Sequence, residues 1–382
     1  MSDVSTPDTV AAALSTSAPV KGRSLWADAR TRLVRNRAAL ASIVVLTFVA
    51  IACIVGPLVT GHDYDQVYQD YVRVPAQWQA YPTPDQIGPA VDRIASRMRA
   101  KVESQQVTGD TLRVTLTAPR AIDERLLVYF ERSDLFRTAK VVEKADEGKK
   151  LVADVPIKRN HFLFGTDSNG RDLLTRTLFA GRISLAIGVL ATTVAILIGV
   201  LWGATAGYLG GRIDNLMMRA VDVLYSLPFI FFVILLVVFF GRNFVLMFLA
   251  VGAVEWLDMA RIVRGQTLSI KRQEYVQAAE ALGVTTGGIL RRHVIPNTLG
   301  PVVVYMTLLV PKVILLESFL SFLGLGVQEP MTSWGVLIAE GAKNIQGSTW
   351  MLVFPSIFLT GTLFCLNFIG DGLRDALDPK DR

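Results

Sequence analysis

The residues best suited to act together lie between Gln273 and Asn297, reading QEYVQAAEALGVTTGGILRRHVIPN. Tyr275, Ala278, Ala279 and Leu282 fall at i, i+3, i+4 and i+7, one small apolar face of a short helix. Gly283 is placed to end that helix in the left-handed conformation, and Pro296 to stop or kink the helical stretch that follows. The pattern is helix, turn, helix. Alanines let a partner's backbone come close, and Glu274, Glu280, Arg291 and Arg292 supply a charged rim. Such a helix suits a groove on a soluble partner. Equally, it suits an amphipathic surface helix resting on lipid headgroups.

A second group is ionisable and lies in apolar surroundings. Lys312 and Glu317 interrupt one hydrophobic run, and Glu255 interrupts another just before Asp258. Charges at such depth must face protein, water or headgroups. Five residues apart on a helix, Lys312 and Glu317 point about 140° from each other and are not expected to pair. Contacts with neighbouring helices, or a place along a transport path, are the two readings. Glu255 and Asp258 read as structural, near a membrane end.

Catalytic patterns are absent from the sequence. There is no phosphate-cradling GxxxxGK[ST] loop, GxSxG elbow, HExxH or CxxC pair. The three histidines, His62, His161 and His293, are scattered, and Cys53 and Cys365 fall inside apolar runs. No catalytic residue, metal site, disulfide or directly bound cofactor is expected.

The elements that must position these residues are membrane spans. Of 382 residues, 51% are hydrophobic and 19% charged, too apolar for an ordinary soluble domain. Crossing a bilayer takes about 20 apolar residues as helix. Uncharged runs cover Ala38 to Thr60, Ile183 to Gly211, Val223 to Phe240 and Met351 to Gly370. Phe244 to Leu257 and Thr298 to Leu325 are apolar apart from the charges just named. Six spans are therefore expected, with Pro228, Pro311 and Pro355 kinking three of them. Gly199, Gly203 and Gly207 give the small-xxx-small spacing of closely packed helices.

Lys and Arg concentrate on the cytoplasmic side of short loops. Lys21, Arg23, Arg30, Arg32, Arg35 and Arg37 precede the first span, and Arg261, Arg264, Lys271, Arg272, Arg291 and Arg292 occupy loop 258–297. Six crossings put both clusters inside, along with the two termini. The net charge of +6 thus reads as membrane topology rather than nucleic-acid binding. Residues 1–37 form a cytoplasmic tail, Ser/Thr/Ala/Pro-rich over 1–20, and 38–60 a retained anchor. Residues 61–160 form a small external α+β domain: a helix from Pro89 to Glu103, then strands near Thr111 to Leu116, Leu126 to Phe130 and Leu151 to Val155.

Gln273 to Asn297 resembles the EAA loop of bacterial ATP-binding-cassette (ABC) importer permeases, which docks into the ATPase subunits. In that pattern Glu-Ala-Ala precedes Gly by three residues, and an Ile-x-Leu-Pro follows nine residues later. Here Gln277, Ala278, Ala279, Gly283, Ile295 and Pro296 occupy it; Gln277 replaces the acidic residue and His293 the isoleucine. FGTDSNGRDLLTRTLFAGRISL (164–185) resembles the segment before the second span in C-type subunits of dipeptide and oligopeptide permeases, and Gly207 to Met218, DMARIVRGQTL (258–268), ESFLSFLGLGVQE (317–329) and NFIGDGLRDALDPKDR (367–382) are similar to the oligopeptide permeases in particular. The resemblance is strong over 160–382 and weak over 25–60. It implies an all-α integral membrane protein, with one anchor helix and a five-helix type I permease core over 161–382. It also implies a homologous B-type permease, two ATPase subunits that use ATP, an external peptide-binding protein and residence in a bacterial inner membrane. Dipeptides, nickel or microcin-like peptides are alternative cargoes within that family. An ion-driven secondary transporter is a rival outside it, and so is a receptor that binds ligand through 61–160.

Overall fold

A computed structural model describes residues 25–241 and 244–377. The expected tail 1–20 lies outside them, as do Lys21, Arg23, Arg242, Lys380 and Arg382.

The chain opens with α1 (Leu25–Arg35) and α2 (Arg37–Val59). Asn36 separates them: its side-chain oxygen accepts from the amides of Ala38 and Ala39, each at 3.1 Å, capping α2. Helix α3 spans Pro84–Arg97, earlier than the expected Pro89 to Glu103. Thr83 and Gln86 form a capping box with Pro84 in the first turn, and these start signals outrank Pro89.

Four antiparallel strands follow: β1 (Lys101–Thr108), β2 (Thr111–Thr117), β3 (Lys140–Ala145) and β4 (Lys150–Pro156), in the spatial order β1-β2-β4-β3. Leu112, Val114 and Leu116 pair with Val155, Ala153 and Leu151, and all six side chains are fully buried. They share one core with Ile87, Val91 and Ile94 of α3. The edge strands β1 and β3 bury almost nothing, which hides them from a search for alternation. The stretch Leu126 to Phe130, expected as strand, is helical turn instead, started by the Asp123 carboxylate accepting from the Arg125 amide.

The membrane part comprises α4 (Leu173–Leu209), α5 (Gly211–Ser226), α6 (Phe229–Phe240), α7 (Phe244–Ile270), α8 (Glu274–Ala281), α9 (Thr286–Phe322), α10 (Trp334–Lys343) and α11 (Trp350–Leu377). Among the described residues four helices are long and apolar enough to cross a bilayer: α2, α4, α9 and α11. The expected span Val223 to Phe240 is divided at Leu227, which is extended before Pro228. Pro311 and Pro355 sit inside continuous helices.

Helices α4 and α7 form the central pair. A Cβ on Gly199 would lie 2.6 Å from the Met259 Cβ, and one on Gly207 would lie 2.9 Å from the Arg264 carbonyl oxygen. The small-residue stripe therefore lets the two backbones touch. Asp214 of α5 accepts two hydrogen bonds from Arg264, both at 2.6 Å, fastening α5 to the same pair.

Helix α10 was not foreseen. Its Trp334 is wholly buried, donating its indole N–H to the Thr177 carbonyl at 2.9 Å. Nearby, the Asp167 carboxylate accepts from Arg171 at 2.7 Å and from Arg176. Arg176 also reaches Glu340 at 3.1 Å, and Arg171 reaches Glu329 at 2.9 Å. This ionic network, buried at Asp167, Arg171 and Arg176, ties the start of α4 to α10 and the loop before it.

Candidate functional site: the loop between α7 and α9

Helix α8 ends in a full Schellman turn. Gly283 adopts φ +77°, its amide donates to the Glu280 carbonyl at 3.0 Å, and the Val284 amide donates to Ala279 at 3.1 Å. A side chain at 283 would meet nothing within 4 Å, so glycine is there for its backbone conformation and not for space.

Two faces of α8 differ sharply. Val276 and Ala279 are buried, in one cluster with Ile289, Val294 and Val302 of α9, Met259 and Val263 of α7, and Val200, Ala204 and Tyr208 of α4. Glu274, Tyr275, Gln277, Ala278, Glu280, Leu282 and Gly283 are exposed, with Leu282 at 84%. The face expected from the periodicity is thus split: Ala279 turns inward beside Val276, while Tyr275, Ala278 and Leu282 stay outside. Two facing residues three apart suffice to seat a two-turn helix, and the wholly apolar Val276 can be buried where Tyr275 would strand its hydroxyl.

The segment after the turn also differs from expectation. Pro296 does not stop the helix; α9 continues through it after a π-helical turn at Leu290–Val294. The wider turn accommodates the hydrogen bond that proline cannot donate. Arg291, Arg292 and Pro296 are exposed and His293 is half-buried, its ring centroid 6.2 Å from that of Tyr275. Lys271, just before α8, donates to the Tyr208 carbonyl at 2.6 Å. Val276 and Ala279 thus join the inner face of α8 to the α4–α7 pair.

Lys312 and Glu317 occupy separate environments. Glu317 is fully buried and accepts from Ser321 at 2.7 Å and from Ser333 at 2.6 Å. Lys312 donates to Glu255 at 2.7 Å and to Asp258 at 3.1 Å. That triad was missed in sequence because α7 and α9 had to be brought together first. It lines a cavity of about 500 Å³ whose walls include Leu224, Tyr225, Leu227, Leu315 and Phe319.

Among the described residues no group of three or more His, Cys, Asp or Glu side chains could hold a metal ion. In the sheet-bearing segment, Asp70 and Asp134 each accept the other's amide, at 3.0 and 3.1 Å. Burial, partly opposed by the hydrogen bond from Asp70, raises the Asp134 carboxyl above its ordinary value.

Comparison with known proteins bears on this geometry. The profile of "Binding-protein-dependent transport system inner membrane component" matches residues 175–382, and that of "N-terminal TM domain of oligopeptide transport permease C" matches 24–77. The oligopeptide transport system permease protein OppC of Escherichia coli (strain K12) is 45% identical over 363 residues, 95% of this chain and 94% of its own. OppC of Haemophilus influenzae is 42% identical, covering 95% of this chain and 91% of its own. The dipeptide transport system permease protein DppC of Bacillus subtilis (strain 168) is 50% identical over 230 residues, 60% of this chain and 72% of its own. The chain therefore belongs to the binding-protein-dependent transport inner-membrane component family, as a non-catalytic permease subunit of an ABC importer.

Proposed function

We propose that this chain forms half of an inward translocation path for oligopeptides and takes its energy from separate ATPase subunits through α8. The observation carrying this reading is the division of α8: an exposed outer face of Tyr275, Ala278 and Leu282, and an inner face merged with the α4–α7 core. The exposed face suits a groove on an ATPase, and the buried face gives it mechanical continuity with the membrane helices.

In this reading the chain crosses the membrane six times, by α2, α4, the α5 end with α6, α7, α9 and α11. Both termini and loop 258–297 lie in the cytoplasm, and residues 61–160 lie outside, beside an external peptide-binding protein. A homologous B-type permease supplies the other half of the path. ATP binding closes the ATPase pair, α8 moves with it, and the path opens outward to receive peptide.

The test is Gly283→Asp. It places a charged side chain on a left-handed residue at the end of the docking helix. Peptide uptake should fall to background while the protein still inserts, and an ATP-hydrolysing partner that co-purifies with the intact protein should be lost. Normal uptake by the variant would remove the coupling role. Failure of the intact protein to retain any ATPase would remove the proposed docking through α8.

A further inference from the structure

The charged triad has no role in the coupling just described. Lys312 lies ten residues before the end of α9 at Phe322, about 15 Å along the helix. Glu255 lies eleven residues into α7, roughly 16 Å along it. The two helices thereby bring one ammonium and two carboxylates together on the wall of one cavity. Two carboxylates against one ammonium leave a formal charge of −1 on the wall of an otherwise largely apolar cavity. Lys312 is half exposed to that cavity, at 51%, while Glu255 is 5% and Asp258 27% exposed.

Here the lysine bridges two acids and remains open to the space in front of them. Its four-carbon stem can swing aside, and the carboxylates stay fixed on α7. An arriving ammonium can then join or replace it on the two carboxylates, which carry one negative charge more than Lys312 neutralises. An arriving carboxylate meets an excess of like charge.

We propose that Glu255, Asp258 and Lys312 form a specificity subsite on the cavity wall that receives the ammonium groups of peptide cargo and makes cationic peptides cross faster than anionic ones. The inference rests on the permease reading above and assigns a selectivity to its path.

The experiment uses the assembled transporter in proteoliposomes, with its partner permease, ATPases and binding protein. Maximal uptake rates are measured for trilysine and triglutamate at saturating concentrations, so that capture by the binding protein does not set the ratio. Lys312→Met makes the cluster −2, and the trilysine-to-triglutamate ratio should rise roughly tenfold. Glu255→Gln with Asp258→Asn makes it +1, and the ratio should fall by a similar factor. The triple variant leaves no uncompensated charge and should assemble normally yet lose the wild-type preference. If the ratio stays the same in all three, or the triple variant keeps the wild-type preference, the triad is only a tie between α7 and α9. Should the intact transporter carry neither peptide, the permease reading itself fails, and that outcome is separate from the first.

Discussion

Replacing Gly283 by alanine isolates the backbone contribution of the turn that ends α8. At φ +77° an L-residue is strained, while its Cβ would meet no atom within 4 Å. The whole effect is thus conformational, about 1–2 kcal/mol. At 1.36 kcal/mol per decade that is about a 5- to 30-fold increase in opening of the turn. The amides of Gly283 and Val284, bonded to Glu280 and Ala279, report it directly. Hydrogen exchange of a peptic fragment covering 274–285 in the detergent-purified protein should accelerate by that factor. Gly287→Ala is the control: Gly287 lies in helical backbone with nothing near its Cβ position, so alanine there should slow exchange or leave it unchanged. Unaltered exchange in Gly283→Ala, or equal acceleration in Gly287→Ala, would refute the claim that the left-handed residue holds the helix end.

Gly203→Ala should separate α4 from α7, because its Cβ would press on the Ala260 carbonyl oxygen and lie 2.9 Å from the Arg264 amide nitrogen. A cost of about 1–3 kcal/mol is expected, read as a lower unfolding temperature in detergent; Gly265→Ala, which meets nothing within 4 Å, should not show it. Arg176→Met strips a fully buried guanidinium from Asp167 and Glu340, and about 3–5 kcal/mol of destabilisation should appear in the same melts. Asp134 holds its proton more tightly folded than unfolded. Its favourable contribution is therefore present below the ordinary value of 3.8 and lost as pH rises through the raised one. Asp134→Asn should flatten that part of the stability profile, measured by thermal melts from about pH 4 to 7.

The apolar runs that became α2, α4 and α11 were visible as sequence because a long uncharged stretch has one cheap solution in lipid. Alternation at Leu112, Val114 and Leu116 likewise revealed β2, since only one face is buried. What escaped depended on neighbours. Trp334–Lys343 is ten residues long and reads as loop until Thr177 and Arg176 give its side chains something to bury against. In α8, periodicity located a helix and its glycine stop, but not which side would face the core. That choice between Val276 and Tyr275 was made by the cavity left between α4, α7 and α9. Lys312 could not be matched to Glu255 and Asp258 from spacing, because the partners stand 57 and 54 residues away on another helix.

The network at the start of α4 also sets an order of events during synthesis. Arg176 meets Asp167 almost as soon as it is made, nine residues later, but Glu340 follows it by 164 residues. At 5–20 residues per second the ribosome takes roughly 10–30 s to supply that second acid. Throughout that interval the arginine carries a charge that its final surroundings would seal away. Asp167, which it shares with Arg171, is the acid within reach of Arg176 over that interval. Arrival of α10 then closes the site, so that the last third of the protein completes the burial of the first membrane helix of its core.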